Sequence, residues 1–418
     1  MRAVRIGIIG NFGIGNFGNH ETLKSMLQFL RKEYPEAILT CVCSIPEKVK
    51  TDFQIAALPL LCPSPTSPYV RKLRKPISVL YAVLIARKFD ILIFPGTGIL
   101  NDFHASPFGL PFTIFMWCLA AKLCGVKIAF VSIGAGPAHQ QLTRWFIKHA
   151  ASMAQYRSYR NQFSKNFLKG LGLNANNDRV YPDLAFRLTI PSFEEQQARD
   201  PNHLTVGFGV MDYHGWQGHL RTDDRIYEEY IGKLRDFVLW LLNQGYRIRL
   251  LMGDENDRKS VDDLRQAVLV HKPLSPPGTL ISEPAHSYQE VLPQMAGADI
   301  IIASRFHHLV FAAMLGKLTI STGYSDYHAE LMKDLGLEAF CQHSERLDVD
   351  SLTRQFQELI SKRDHYEAII RDAVASCRMK LVEQDKLLND LIRRSWLPPK
   401  NRVTLRQLGS RSPAGEID

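Results

Sequence analysis

The segment VRIGIIGNFGIGNFGNHETLKSMLQFL, residues 4–30, determines how the rest of the chain is interpreted. Its first part, Val4–Ile9, is apolar and rich in β-branched residues, as a buried strand requires. Glycines crowd the stretch that follows, and apolar residues then recur at helical spacing, at Leu23, Met26, Leu27 and Leu30. The segment therefore predicts a strand, a glycine-rich loop and a helix, which together form the βα unit of an α/β protein.

The same alternation continues along the chain and predicts parallel sheets with crossover helices. The predicted strands are Val4–Ile9, Ile38–Val42, Ile91–Phe94, Ile128–Ser132 and one near Val180, then Leu204–Val210, Arg247–Met252, Thr279–Ser282, Ile300–Ala303 and Thr319–Thr322. The polar segment Pro191–His203 separates two similar halves. We expect domains at residues 1–195 and 203–345, helices at 350–396 that pack back across both, and a disordered tail at 397–418. Ligands of open α/β sheets bind beyond the carboxyl ends of the strands, so the site is expected in the cleft between the halves.

The composition is that of a folded, soluble enzyme. The chain has 418 residues, of which 45% are hydrophobic and 22% are charged, and this balance argues against intrinsic disorder. The 51 Lys and Arg residues exceed the 42 Asp and Glu residues, an excess that fits an anionic partner or, alternatively, solvated charge in loops and in the C-terminal tail. The basic residues are dispersed and accompany no aromatic strand motif, which argues against nucleic-acid binding.

Two features predict a cytoplasmic protein. The seven cysteines are an odd number without a CxxC pair, as expected of reduced thiols, and the first residues lack a secretory signal. A predicted helix at Arg71–Lys88 sets a basic start against the apolar run Ile77–Ala86. This pattern fits either peripheral contact with the inner face of a membrane or a core helix with basic flanks.

The first glycine-rich loop has the spacing of a dinucleotide-binding turn but lacks part of that signature. Gly13, Gly15 and Gly18 spell G-x-G-x-x-G between a strand and a helix. The acidic residue that would hold a ribose is absent from Cys41–Ser44, at the end of the next strand. The loop therefore predicts either an anion site of backbone N–H groups near Asn19 or a tight turn that binds nothing.

Other loops of the first half add candidate binding residues. Glycines follow two more strands, in Gly96-Thr97-Gly98 and in Gly134-Ala135-Gly136, and their number exceeds what turns alone usually require. Arg160 stands where a loop meets a predicted helix start, a place that suits the binding of an anion. The alternative for Arg160 is an ordinary surface arginine.

The sharpest functional signal lies where the strand Ile300–Ala303 meets Ser304-Arg305-Phe306-His307-His308. A wholly apolar strand ends there in polar residues, at the edge of the sheet where ligands bind. Arginine binds carboxylate or phosphate at two points, and histidine titrates near neutral pH and moves protons. The motif favours an anionic substrate that must be protonated, and the alternative is a surface arginine beside packed histidines.

Several motifs of these loops occur together in one known family. They are Gly10, Gly13, Asn16, Gly18 and Glu21, then Gly96-Thr97-Gly98, Arg160–Ser164, Asp183–Phe186 and Arg305–His307. Over roughly Ile6–Leu337 the chain resembles the polysaccharide pyruvyl transferases, whose Arg-Leu-His signature is similar to Arg305–His307. Asn161 replaces the aspartate of the family's Arg-Asp-x-x-Ser motif, and Tyr327 stands where a lysine is usual.

The resemblance implies a GT-B-like fold, with two Rossmann-like domains facing a central cleft and C-terminal helices. It also implies transfer of pyruvate from phosphoenolpyruvate to a sugar of a cell-surface polysaccharide or its precursor, as a ketal. No cofactor is expected, and Asp102, His104 and Asp183 are too scattered in sequence to predict a metal site. The expected catalytic residues are His307, Arg305 and His308. The residues expected to bind substrate are Arg160, Asn16, Gly13, Gly15, Gly18, Gly96, Gly98, Ser304 and Tyr324.

The sequence leaves two other functions open. The same architecture serves glycosyltransferases that use a nucleotide sugar, and Glu283 or Glu290 would then hold the ribose. The departures at Asn161 and Tyr327 also fit a non-catalytic partner that binds carbohydrate or a membrane. A comparison of phosphoenolpyruvate binding with nucleotide-sugar binding would distinguish a pyruvyl transferase from a glycosyltransferase. Ligand binding without turnover would favour the non-catalytic protein.

Overall fold

The computed structural model describes residues 2–63, 74–191, 193, 204–216, 224–273 and 278–396. The strands of its first half are β1 Arg5–Gly10, β2 Ile38–Cys43, β3 Ala56–Pro59, β4 Ile91–Pro95, β5 Lys127–Ile133, β6 Tyr156–Tyr159 and β7 Arg179–Val180. They form one seven-stranded parallel sheet in the order β3-β2-β1-β4-β5-β6-β7. The predictions for β1, β2, β4 and β5 are confirmed to within one residue at each end.

Helices cover both faces of this sheet. They are α1 Phe17–Glu33, α2 Pro46–Phe53, α3 Arg74–Ala86, α4 Leu110–Leu123, α5 Gln141–Ser152 and α6 Gln162–Gly170. Successive strand residues point to opposite faces, so Ile8 packs in the cluster that contains α1 residues and Ile9 in the cluster of α3, α4 and α5. Burial on both faces explains why β1 and β4 consist almost wholly of apolar residues.

The second half repeats this arrangement with a five-stranded parallel sheet. Its strands are β8 Thr205–Gly209, β9 Arg247–Leu251, β10 Leu280–Ser282, β11 Ile300–Ala303 and β12 Leu318–Ser321, in the order β10-β9-β8-β11-β12. Its helices are α7 Arg225–Asn243, α8 Asp257–His271, α9 Tyr288–Ala296, α10 Phe306–Met314, α11 Asp326–Asp334 and α12 Val349–Ser361. The predicted α/β class with two similar halves is confirmed.

A long C-terminal helix, α13 Arg363–Trp396, contacts both halves. Near its start, the Arg363 guanidinium lies 3.6 Å from the carboxylate of Asp299, which follows α9 in the second half. Near its end, the Gln384 amide donates hydrogen bonds to the hydroxyls of Ser132 and Ser158 at 2.8 and 2.9 Å, on two strands of the first sheet. The helix thereby ties the two sheets together.

Some predicted elements differ from the structure or lie outside it. The strands β3 and β6 were not predicted, because β3 is a four-residue edge strand and Tyr156–Tyr159 carries an arginine and a serine that hide its apolar pattern. The predicted boundary Pro191–His203 lies outside the described residues, apart from residues 191 and 193. The predicted tail at 397–418 and the first three residues of the predicted helix at Arg71–Lys88 also lie outside them. The domain limits therefore stay predictions.

Candidate active site

A cavity of about 820 Å³ lies between the two halves. Residues that follow seven of the parallel strands line it, namely Asn16, Gly98, Arg160, Asp212, Asp254, Arg305 and Tyr324. The carboxyl ends of both sheets therefore face the same space, which is where ligands of parallel α/β sheets bind. Of the residues expected to act, His307 and Gly18 also line this cavity.

The first glycine-rich loop connects the two halves. The Phe17 amide donates to the Gly253 carbonyl at 3.3 Å, and the Glu255 amide donates to the Gly15 carbonyl at 3.3 Å. The Asn16 side chain caps α1 by accepting from the Asn19 amide at 3.0 Å, and its amide group donates to Asp254 at 3.1 Å. The N–H group of Asn19, where an anion site was expected, is thus already bonded within the protein, and so is the N–H group of Phe17.

The glycines of this loop serve the turn and the contact between the halves. Gly13 and Gly15 adopt positive φ angles of 86° and 74°, which favour glycine, and neither lines the cavity. A Cβ on Gly18 would lie 2.0 Å from Nδ1 of His307, a distance that no packed structure tolerates. Gly18 therefore makes room for the ring of His307, which comes from the other half.

Two other glycines make room for Arg160. A Cβ on Gly134 would lie 2.9 Å from a terminal nitrogen of Arg160, and a Cβ on Gly98 would lie 3.4 Å from the same atom. Gly96 adopts a φ of 28° and packs against Leu184 and Thr22, outside the lining of the cavity. The glycine loops after β4 and β5 thus leave space for the Arg160 side chain. Gly96 does not line the cavity and instead allows close packing against Leu184 and Thr22.

Arg160, Asp183 and His307 form a cluster that we call the Arg160 centre. Arg160 donates to the buried carboxylate of Asp183 at 3.1 Å, and Nε2 of His307 lies 3.7 Å from the same carboxylate. Burial alone would raise the pKa of Asp183, but the neighbouring His307, followed by Arg160, lowers it to about 2. Asp183 is therefore ionised at neutral pH and lies between an arginine of the first half and a histidine of the second.

Arg160 is only partly satisfied by these contacts. Its guanidinium stacks 4.3 Å from the centre of the Phe306 ring and 5.1 Å from that of Tyr327. Its Nε is buried and has no hydrogen-bond partner among the described residues. The Arg160 centre thus keeps donor capacity at the wall of the cavity.

Arg305, Asp254 and Asp257 form a second cluster, the Arg305 centre. Arg305 donates to Asp257 through two nitrogens at 3.0 and 2.5 Å, and it lies 3.8 Å from Asp254. Burial would lower the pKa of Arg305, but the charges of Asp257 and Asp254 raise it above its ordinary value. Asp257 also accepts from the backbone amides of Gly253 and Asp212 at 3.1 Å each. Arg305 is therefore bound on two sides within its own half.

Ser304 and His308, two of the expected site residues, do not line the cavity. The hydroxyl of Ser304 is buried and shares hydrogen bonds with Tyr230 at 2.7 Å and Thr322 at 2.8 Å. His308 is fully buried with Nε2 at 3.1 Å from the Met252 carbonyl, and burial lowers its pKa to about 4. Both side chains point into the protein, Ser304 directly after β11 and His308 from α10, so this arrangement gives no support to their predicted contact with a substrate, which stays a prediction.

Aromatic residues that the sequence analysis did not single out form one wall of the cavity. The Phe103 ring stacks on Tyr324 at 5.0 Å and meets Trp216 edge-on at 4.9 Å between centres. His328 also lines the cavity, and burial lowers its pKa to about 3. Phe103 and Trp216 lie in separate loops of different halves, so no local pattern in the sequence joins them.

The departures from the family pattern have structural roles. Asn161 caps α6 by accepting from the Ser164 amide at 2.9 Å and hydroxyl at 2.7 Å. Tyr327 donates from its hydroxyl to the Gly136 carbonyl in the other half. Glu283 pairs with Arg249 at 3.3 Å and Glu290 accepts from the His286 amide at 2.9 Å, so neither proposed ribose ligand lines the cavity.

Solved structures from several organisms share this fold at low sequence identity. A glycosyltransferase from Rickettsia africae matches with a TM-score of 0.61 and 12% identity, over 94% of this chain and 99% of its own. Anabaena HepE in complex with UDP and glucose gives a TM-score of 0.59 and 14% identity, over 94% and 100%. UDP-GlcNAc 2-epimerase from Neisseria meningitidis, bound to UDP-GlcNAc, gives 0.55 and 16%, over 91% and 100%. These likenesses confirm the GT-B-like fold.

Sequence comparison gives the family. No curated protein is significantly similar to the chain. The profile described as polysaccharide pyruvyl transferase matches residues 16–326, which include Arg160, Asp183, Arg305 and His307. This match spans most of the chain and both sheets. The chain therefore belongs to the polysaccharide pyruvyl transferase family.

Proposed function

We propose that the protein transfers the pyruvyl group of phosphoenolpyruvate to two hydroxyls of a saccharide, forming a ketal and releasing inorganic phosphate. The observation that carries this proposal is the Arg160 centre, which places an arginine and a histidine in the cavity around one ionised carboxylate. The arginine can bind an anionic donor, and the histidine can transfer protons. The family membership supports a transferase that acts on polysaccharides.

Arg160 suits the recognition of the donor. Phosphoenolpyruvate carries a carboxylate and a phosphate, and a guanidinium binds either group at two points. Asp183 accepts from one terminal nitrogen of Arg160, which leaves the other terminal nitrogen of the guanidinium for the donor. Stacking on Phe306 fixes the plane of the guanidinium before the donor arrives, which lowers the entropy lost on binding.

His307 suits the proton transfers of the reaction. A proton is delivered to the methylene carbon of the donor, the cationic C2 that results is attacked by one sugar hydroxyl, and that hydroxyl loses its proton. The second hydroxyl then replaces phosphate at C2, so one of the two hydroxyl protons becomes the new methyl hydrogen and the other leaves on the phosphate, as hydrogen phosphate. Because Asp183 is ionised beside Nε2 of His307, the carboxylate orients the ring and balances a proton held on it.

The aromatic wall suits the saccharide acceptor. Phe103, Trp216 and Tyr324 line the cavity as one aromatic cluster, and aromatic side chains pack against the apolar face of a pyranose. The polar groups of Asn101 and Asp212 lie in the same lining and would bind hydroxyls. The acceptor is thus proposed to be a sugar of a cell-surface polysaccharide or its precursor, modified at the cytoplasmic side.

Calorimetric titration of phosphoenolpyruvate into the purified protein, with UDP-glucose as competitor, tests the donor. We expect saturable phosphoenolpyruvate binding that UDP-glucose does not displace. Tight UDP-glucose binding without phosphoenolpyruvate binding would instead make the protein a glycosyltransferase, the function named in the Rickettsia africae structure.

The His307→Asn variant tests the proton transfer. It should bind phosphoenolpyruvate normally and release phosphate about 10³-fold more slowly in the presence of an acceptor saccharide. His271→Asn, on the exposed end of α8, is the matched control and should keep full activity. Equal activity of the two variants would overturn the role of His307.

A further inference from the structure

The helices α3, α4, α5 and α6 cover one face of the first sheet and contain no Asp or Glu. Acidic residues are common elsewhere, with 42 among the 418 residues of the chain, and α7 alone carries Glu228, Glu229 and Asp236. The cations of the four helices are Arg74, Lys75, Lys122, Arg144, Lys148, Lys165 and Lys169. We call the surface formed by these four helices the acid-free layer, because their charged side chains are all positive.

Large apolar side chains are exposed on the acid-free layer. Leu80 of α3 is 61% exposed and Trp145 of α5 is 46% exposed, well above the level of core residues. Leu84, Phe108, Leu123 and Leu142 are exposed as well. Exposed apolar groups gathered on one face mark a surface that binds a partner.

Contacts between side chains connect Lys75, Phe108 and Trp145 across the layer, the last two through Phe146. The Lys75 ammonium lies 4.6 Å from the centre of the Phe108 ring, which lies 5.9 Å from the ring of Phe112. Trp145 packs 5.2 Å from Phe115, so the patch extends from α3 over α4 to α5. The outward side of α4 is apolar until Lys122, near its end.

We propose that the acid-free layer binds the surface of an anionic phospholipid bilayer. Leucine, phenylalanine and tryptophan side chains partition into the headgroup region, and lysines and arginines around them attract anionic lipids. A second copy of the chain is a poorer occupant, because a symmetric contact would bring these cations against the same cations of the copy. Among the described residues, no helix combines the length and apolarity needed to cross a bilayer.

The patch also borders the mouth of the cavity. Phe108 lies in the loop whose neighbouring residues Ser106, Gly109 and Leu110 line the cavity. Binding through the layer would hold this mouth close to the lipid surface, within reach of a saccharide carried on a lipid. That last consequence rests on the proposed function, but bilayer binding itself does not.

Flotation of the full chain with vesicles tests the proposal. We expect flotation with vesicles of 70% phosphatidylcholine and 30% phosphatidylglycerol, and at least about tenfold weaker binding to phosphatidylcholine alone or in 1 M salt. Leu80→Glu and Trp145→Glu should each weaken binding about tenfold. Val270→Glu, a 75% exposed site on α8, is the matched control and should leave binding unchanged.

Several outcomes would overturn the proposal. They are absence of flotation, equal binding to both kinds of vesicle, or equal loss in Val270→Glu and Leu80→Glu. A change of oligomeric state in Leu80→Glu, measured by size-exclusion chromatography with light scattering, would assign the patch to contact between copies instead. Phosphate release with a water-soluble saccharide should be unchanged in Leu80→Glu, so failure of this proposal and failure of the proposed reaction are separately visible.

Discussion

The cavity contains two arginines that look alike in the sequence and differ in their surroundings. Arg160 has one carboxylate partner, Asp183, and shares it with His307. Arg305 has two, since Asp257 accepts two hydrogen bonds and Asp254 lies 3.8 Å away. The Arg160 centre therefore has one carboxylate for its arginine, whereas the Arg305 centre has two, and burial raises the pKa of the more distant one, Asp254.

This difference separates donor binding from support of the fold. The proposed anionic donor would be attracted to Arg160, whereas Asp257 already neutralises the charge of Arg305. Arg305 instead holds the loop after β9 to the start of α10, because Asp254 and Asp257 follow β9 and Arg305 follows β11. The function of each arginine thus depends on the number of carboxylates within reach, which the sequence motif does not reveal.

Arg160→Ala should give the largest effect. Removal of the guanidinium takes away the proposed anion-binding group, so phosphate release should fall about 10³-fold and calorimetric binding of phosphoenolpyruvate should be lost. Arg179→Ala, an exposed arginine of the neighbouring strand β7, is the control and should behave as wild type. Normal phosphoenolpyruvate binding by Arg160→Ala would contradict the assignment of donor binding to Arg160, since the donor would then bind elsewhere.

Arg305→Met should act on stability. The variant leaves Asp257 buried without its cation, so urea unfolding should show a loss of about 3 kcal/mol. The double variant with Asp257→Asn should recover part of that loss, because it removes the unpaired charge. Affinity for phosphoenolpyruvate should stay within about threefold of wild type. A stable Arg305→Met protein that no longer binds the donor would reverse the assignment of the two centres.

Gly18→Ala tests whether His307 must lie against α1. The new Cβ would occupy the place of the imidazole, 2.0 Å from Nδ1, so the ring must move away from Asp183. We expect phosphate release to fall about 10²-fold, as for other misplaced catalytic groups, while phosphoenolpyruvate affinity changes little. Thermal unfolding of the variant checks that the halves remain folded. Unchanged turnover would show that His307 does not act in this position.

The Arg160 centre should contribute to stability against acid. The pKa of Asp183 is about 2 in the folded protein and about 3.9 in an unfolded chain, so the unfolded state binds more protons between these values. Asp183 therefore contributes about 2 kcal/mol to the free energy of unfolding above pH 4, and this contribution is lost as the pH falls toward 2. The stability difference between wild type and Asp183→Asn, from urea unfolding, should therefore narrow as the pH falls from 5.

Asn161→Asp should give the smallest effect. An aspartate caps a helix about as well as an asparagine, so the free energy of unfolding should change by no more than about 0.5 kcal/mol. Turnover should stay near that of wild type, because Asn161 bonds to Ser164 and not to Arg160. A large gain in phosphate release would show that the family's aspartate acts in the reaction and that its loss has weakened this protein.

The sequence predicted the scaffold more completely than the site. The strand Ile300–Ala303 was found with both ends correct, because four apolar residues stop at a polar turn. The site depends on pairs such as Arg160 with Asp183 and Asp183 with His307, which are far apart in sequence and meet only when the two sheets face each other. The sequence did not identify Asp257 as a site residue, because acidic residues are common at the start of a helix.

The position of His307 has a consequence for side reactions of the donor. Arg160 and Asp183 belong to the first half and His307 to the second, and the ring fits against Gly18 only while the halves are together. Whenever the cleft opens, the proton donor leaves the carboxylate and the bound donor molecule faces water without it. In the proposed reaction, protonation would thus be confined to the closed cavity, where a sugar can displace water, and this would protect phosphoenolpyruvate from wasteful conversion to pyruvate and phosphate.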